Sequence, residues 1–354
     1  MKPFTVTVDE QQAGQTLAAL VRAQLPDRSW SQVRRLILQR HVCIGAEVCL
    51  DPARRLRRGE VVSLSVARQR STLDGLPAEV VVRFVDEHVV VVEKPAGINT
   101  VRHPSERHWS QRRRQLSPTL EDLIPRTLQR LTHTPSHAQP RLRCVHRLDK
   151  ATSGLVVFAR SPLAQVELGK QFAAHRVLRQ YLAVVRGAVA AGRIESYLVR
   201  DRGDGRRGST TVPGLGKHAV THFEPLAQVG ELTLLSCRLE TGRTHQIRIH
   251  LAEAGTPVCG EMVYTTPAAA DHATATETMP HQTMPPRTMP SGLPPPPRLA
   301  LHAAELGFSH PRTGEPMYWN MPLPQDLANW LISLGWTMEL LRSFPQHGAG
   351  VQQT

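Results

Sequence analysis

Short apolar runs bounded by turn-forming residues recur through the middle of this chain, and they constrain it to build its core around strands. Val80-Val81-Val82-Arg83-Phe84-Val85 and Val89-Val90-Val91-Val92 flank Asp86-Glu87-His88 and read as a β-hairpin. Leu155-Val156-Val157-Phe158-Ala159 follows the small polar turn Thr152-Ser153-Gly154 and reads as a buried strand. Residues 177–187 and 232–239 read as further strands, and the two-residue alternation of the first puts Arg179 and Tyr181 on one face. Helical patterns are interspersed: 161–174, 326–341, and a helix start at Ser117-Pro118-Thr119 with Pro at N1 and acids in the first turn.

The first 70 residues read as a separate module. Residues 16–21 have helical apolar spacing, and Ser29-Trp30-Ser31-Gln32 can cap a second helix through Val33, Leu36 and Ile37. Its polar side carries Arg34, Arg35 and Arg40, and a second basic run holds Arg54 and Arg55. A polar linker is expected over 71–79 and a larger domain over 80–344, with a frayed tail at 345–354. Residues 265–297 interrupt that domain. Thr-Met-Pro recurs at Thr278, Thr283 and Thr288, and Pro294 to Pro297 close the segment. Without the apolar periodicity of a core, it reads as a disordered surface insertion.

Formal net charge is +13, with most of the cations Arg. That favours a polyanionic partner, nucleic acid first. Residues 101–116 are strongly basic and include Trp109, which suits phosphate contact and base stacking; a solvated mobile loop fits as well. No run reaches the roughly 18 apolar residues of a membrane span. The five cysteines are scattered without a C-x-x-C pair, so reduced thiols in a cytoplasmic protein are expected. His245 and His250 are spaced so that they diverge on a helix, which argues against zinc.

Asp149 stands between Arg147 and Lys150, on a turn just before a strand. Flanking positive charge favours the ionised form of a carboxylate, and loop exposure with strand anchoring suits a catalytic group. On spacing alone a surface ion pair is the commoner outcome. Lys94, in Lys94-Pro95-Ala96-Gly97, reads either as a cation turned to the edge of a cleft or as an ordinary strand end.

Taken together, H-R-L-D-K-x-T-S-G-L from His146, K-P-A-G from Lys94, basic-x-Tyr-Leu-x-x-Val-x-Gly from Arg179 and T-G-R-T-H-Q-I-R-I-H-L from Thr241 resemble the RluA family of pseudouridine synthases, in the family's order. The N-terminal module resembles the alpha-L RNA-binding domain, although Gln15-Thr16-Leu17 replaces the usual Arg-Leu-Asp. Gly260-Glu261 stands where the family often has Gly-Asp. The resemblance implies an α+β fold with a mixed, mostly antiparallel central sheet and flanking helices. It implies isomerisation of uridine to pseudouridine in RNA, expected in large-subunit ribosomal RNA with tRNA as the alternative, by a monomer that needs no metal or cofactor. By the same resemblance Asp149, Tyr181 and Arg248 are catalytic: Asp149 attacks the anomeric carbon or removes the neighbouring sugar proton, Tyr181 lies against the uracil, and Arg248 pairs with Asp149. Arg243 is a second candidate for that pair, Arg147 fills the vacated stack, and Lys94 supports the substrate site. Arg34, Arg35, Arg40, Arg54 and Arg55 would contact RNA. Thr244 is expected to cap the helix that carries Arg248, and no second carboxylate stands in the matched motifs. The rival readings are a non-catalytic RNA-binding assembly factor and a glycosidase acting on free nucleosides.

Overall fold

The structure is a computed structural model that describes residues 3–39, 41–45, 47–49, 51–65, 80–106, 108–132, 139–203, 205–210, 212, 214–264 and 293–344. Arg40, the linker expected at 71–79, the tail and most of the 265–297 insertion lie outside the described residues. The chain divides into two units, Met1–Pro77 and Ala78–Thr354.

In the first unit, β1 (Phe4–Thr7), α1 (Leu17–Gln24), α2 (Trp30–Leu38), β2 (Val42–Ile44), β3 (Glu47–Val48) and β4 (Val61–Leu64) follow one another. The strands form a sheet of order β1-β4-β2-β3. Thr16 caps α1 by accepting from the Ala19 amide, and Ser29 with Gln32 forms a full capping box on α2. Val33 and Ile37, four apart on α2, pack with Leu17, Leu20 and Val21 of α1 in a core closed by Val62 and Leu64. This leaves Arg34 and Arg35 on the exposed side of α2.

The second unit runs β5 (Val81–Val85), β6 (Val89–Lys94), α3 (Gln111–Leu116), α4 (Leu120–Thr132), β7 (Arg143–Cys144), β8 (Ser153–Ala159), α5 (Pro162–Ala173), β9 (Leu178–Arg186) and β10 (Gly192–Val199). It continues with β11 (Gly208–Thr210), β12 (Lys217–Val229), β13 (Leu232–Leu239), α6 (Gln246–Glu253), β14 (Leu301–Ser309), β15 (Pro316–Asn320), α7 (Gln325–Ile332) and α8 (Met338–Arg342). Its eleven strands make one sheet with the path β11-β10-β12-β13-β9-β14-β8-β6-β5, β15 joining β14 and β7 joining β8. Among the described residues only β14 and β8 pair in parallel; the other ladders are antiparallel. The mixed, mostly antiparallel α+β architecture is the one expected.

β6 and β8 are buried along nearly their whole length because both sheet faces are covered. On one face Val89, Val91, Leu155, Val157 and Ala159 pack against Ala164 and Leu168 of α5, whose N-terminus is capped by Ser161. At the parallel joint Gly154 has φ +128, and a Cβ there would lie 2.2 Å from the carbonyl oxygen of Ala303, so only glycine fits.

Three local expectations are corrected. α4 begins at Leu120, not at Pro118: the Thr119 hydroxyl accepts from the Asp122 amide while the Asp122 carboxylate accepts from the Thr119 amide, which sets the start two residues later. The single helix expected at 326–341 is two, α7 and α8. Gly335 turns left-handed at φ 92 between them and Thr337 caps the second. Thr244 does not cap α6; the preceding position is His245, itself left-handed at φ 60.

Two buried histidines make the fold acid-sensitive. His302 accepts or donates through Nδ1 to Ser153 Oγ at 2.9 Å, and His250 bridges Thr221 and Ser196 at 2.9 and 3.0 Å. Burial pushes His302 down to about 3 and His250 down to about 4. Below about pH 6.5 the unfolded chain takes up protons that the folded chain refuses, so stability present at neutral pH is lost as pH falls. Each histidine contributes about 1.4 kcal/mol per pH unit within that window. The thermal midpoint should therefore drop steadily from pH 6.5 to pH 4.5, and a scan that stays flat there would contradict it.

Candidate active site

The turn that carries Asp149 is held from beneath by the loop after β6. Thr100 Oγ1 donates to the Leu148 carbonyl at 2.9 Å and accepts from the Leu148 amide at 3.1 Å, and the Gly97 amide donates to the Lys150 carbonyl at 2.7 Å. Lys94 completes the clamp. Its Nζ donates to the carbonyls of Pro95, Ile98 and Lys150 at 2.9, 2.9 and 3.2 Å. Those three acceptors match the three donors of an ammonium. Burial drives Lys94 down to about 7, with Asp149 pulling in the opposite direction. Lys94 is thus a buried brace and does not face the cleft as a substrate contact, which corrects the expectation. With both ends of the turn fixed, Asp149 projects its carboxylate, mostly shielded, into a cleft of about 640 Å³.

The facing wall is the loop from Thr241 into α6. Gln246 is buried and pins it: Oε1 accepts from Thr241 Oγ1 at 2.7 Å and from the Arg243 amide at 3.0 Å, while Nε2 donates to the Val220 carbonyl at 2.9 Å. This orients two groups toward Asp149. Arg248 Nη1 stands 3.7 Å from Asp149 Oδ2, and His245 Nε2 stands 3.7 Å from Oδ1. The expected Arg248–Asp149 pair is present, but it is not the main partnership of Arg248. Nε and Nη2 form a closer fork on Glu261, at 2.6 and 2.7 Å. Glu261 Oε1 also accepts from the Val263 and Met262 amides at 2.8 and 3.0 Å. Although burial pushes Glu261 up, these hydrogen bonds and the guanidinium hold it below the usual carboxylate range. His245 is oriented in turn by Tyr264, whose hydroxyl lies 2.6 Å from Nδ1.

Tyr181 lines the same cleft from β9, two residues along from Arg179. Burial drives its phenol up to about 12, Arg179 opposing and Asp149 adding, so it holds its proton at neutral pH. Arg147 is exposed on the cleft lining. Arg243 also lines the cleft, but its Nε donates to the His218 carbonyl at 2.9 Å and no pair with Asp149 forms, so the second candidate for that pair is not realised. Among the described residues no group of three or more His, Cys, Asp or Glu side chains is arranged to hold a metal ion.

In the first unit Arg34, Arg35 and Arg55 are exposed, Arg55 with one nitrogen on the Gly14 carbonyl at 2.8 Å. Arg54 is half-buried against Glu60 at 2.6 Å, which offsets its charge toward any phosphate. Sequence reasoning missed Glu261, His245 and Tyr264 as site residues. The signal available was Glu261 and Tyr264 together, because a carboxylate beside an apolar segment needs a cation.

Residues 88–253 match the family described as RNA pseudouridylate synthase, and residues 15–62 match the S4 domain. The chain is 32% identical to a protein named uncharacterized RNA pseudouridine synthase YlyB from Bacillus subtilis, over 94% of this chain and 99% of that one. It is 34% identical to a ribosomal large subunit pseudouridine synthase D from Nitrosomonas europaea, over 91% of this chain and 85% of the relative. Among solved structures, human RNA pseudouridylate synthase domain containing 4 shares the fold, with a TM-score of 0.53 at 21% identity over 73% of this chain and 94% of that one.

Proposed function

The chain belongs to the RNA pseudouridylate synthase family, of the RluA type with an S4 domain, and from that premise we propose that it isomerises uridine in large-subunit ribosomal RNA with Asp149 at the reaction centre. The observation that carries this reading is the pinned Asp149 turn facing Arg248 and His245 across a cleft wide enough for a nucleoside. The choice of ribosomal RNA rests on the names of the relatives and on the net charge of +13.

The target uridine leaves its stack, at a few kcal/mol, and Arg147 occupies the gap. Asp149 then either attacks C1′ or takes the proton from C2′, and the bond from C1′ to N1 breaks. The base turns, and C5 bonds to C1′ as the C1′–Asp149 ester bond breaks or as Asp149 returns its proton to C2′; the C5 proton is then lost and N1 gains one, so the sum is an isomerisation. Arg248, its charge already met from behind by Glu261, orients Asp149 and does not neutralise it. Tyr181, neutral and buried, bears on the base as a proton donor. Arg34, Arg35, Arg40 and Arg55 contact phosphates, which predicts binding that weakens as salt rises.

The test is a map of pseudouridine in ribosomal and transfer RNA from cells with and without the protein. At least one large-subunit position should revert to uridine in its absence. Loss confined to transfer RNA would overturn the substrate assignment, and no loss in any RNA would overturn the activity.

A further inference from the structure

Arg179 is a buried cleft guanidinium that the mechanism above leaves unused and that meets no carboxylate among the described residues. It is 8% exposed, in β9 on the face that carries Tyr181. Nη2 donates to the carbonyls of Glu240 and Leu239 at 3.2 and 3.5 Å. Nε is shielded from solvent without an acceptor, and neither it nor Nη1 meets a carboxylate among the described residues. By contrast Arg248 is forked onto Glu261 and faces Asp149, and Arg147 and Arg243 are open to solvent.

The surroundings are shaped to keep it so. The guanidinium carbon lies 5.5 Å from the centre of the Phe172 ring, and His146 stacks on that ring at 4.7 Å. His146 is kept neutral, pushed down to about 3 by burial and then by Arg179, while its Nε2 accepts from the Val157 amide. On another side Nη1 packs against Gly242, where a Cβ would come within 2.7 Å of it, so the guanidinium takes the place a side chain would fill. A dry cation with spare donors and no counter-charge is destabilising in the resting protein, and it is complementary to an anion that arrives with the substrate.

We propose that Arg179 is a catalytic residue that receives the detached uracil, donating from the part of its guanidinium that lines the cleft to a carbonyl oxygen of the base. This rests on the isomerase reading above. When the C1′–N1 bond breaks, its electron pair leaves with N1 and the base becomes an anion with charge on O2 and O4. The sugar side is balanced by a new bond from C1′ to Asp149, or by transfer of the C2′ proton to it. Rejoining through C5 discharges the anion as the ester releases the Asp149 carboxylate, or as Asp149 returns its proton to C2′; loss of the C5 proton and protonation of N1 complete the isomerisation. Because that charge exists only between cleavage and rejoining, Arg179 stabilises the transition state more than the bound substrate.

The experiment uses the full chain in single turnover on a large-subunit ribosomal RNA transcript tritiated at uridine C5, with RNA affinity measured in parallel at several salt concentrations. Arg179→Gln should slow tritium release about 10²- to 10³-fold, with the dissociation constant within about threefold of wild type. Arg179→Lys should fall between them, and it serves as the reading if the Gln variant does not melt like wild type. Added guanidinium ion should restore part of the Arg179→Ala rate and none of the Asp149→Asn rate. A folded Arg179→Gln protein with a wild-type rate overturns the proposal. So does a loss confined to affinity with a shallower salt dependence, the mark of a phosphate contact. If wild type itself releases no tritium from this transcript or from total cellular RNA, the isomerase premise falls instead.

Discussion

Asp149→Asn should abolish tritium release from RNA labelled at uridine C5, by at least about 10³-fold, while RNA binding and the melting temperature stay near wild type. The loss corresponds to about 4 kcal/mol of transition-state stabilisation. Asn keeps the shape of the side chain but can neither form the sugar ester nor accept the C2′ proton. The fold should tolerate the change because the turn is fixed through its backbone by Thr100, Gly97 and Lys94, not through the carboxylate. Arg248 retains its fork on Glu261, so no buried charge is orphaned. Undiminished release from a clean preparation of the variant would remove Asp149 from the reaction centre.

Glu261→Gln should be costly in both stability and rate. The carboxylate is nearly fully buried and is the closest charge partner of Arg248. Breaking one side of a buried pair typically costs about 3–5 kcal/mol, because the surviving charge stays dry. The thermal midpoint should fall by several degrees. Arg248 would then turn onto Asp149, closing the 3.7 Å separation and tying up the carboxylate that must react. Turnover should drop about 10²-fold, a rate effect that simple destabilisation would not produce below the melting range. Glu261→Asp keeps the charge with a shorter reach and should lie between the two. A Gln variant with unchanged melting and turnover would show that Arg248 needs no carboxylate behind it.

Much of the strand content was legible because Val-rich and Leu-rich runs such as 89–92 and 155–159 admit little else between turn residues. The cap at Ser29 was equally local. Motif resemblance pointed to Asp149, Tyr181 and Arg248 as one site, and the structure brings them to one cleft. What escaped was nonlocal. Whether Lys94 meets water or three carbonyls depends on how a loop 56 residues away folds over it. The Arg248–Glu261 fork spans 13 residues and the His245–Tyr264 contact 19, beyond any helical or strand period. The left-handed turn at His245 is imposed by those contacts and by Gln246, against the preference of its own side chain. Gly335, which splits the last helical stretch, was the one local signal passed over.

The place of β14 in the sheet bears on how the enzyme is made. It lies between β9 and β8, joining a half built from residues 178–239 to a half built from residues 81–159. Asp149 enters from the second of these halves, Tyr181 and Arg248 from the first or the helix that follows it. A ribosome reading this message therefore delivers both jaws of the cleft before the strand that sets their spacing. Chains released short of β14 would carry Asp149, Tyr181 and Arg248 without the strand that joins the two halves of the sheet.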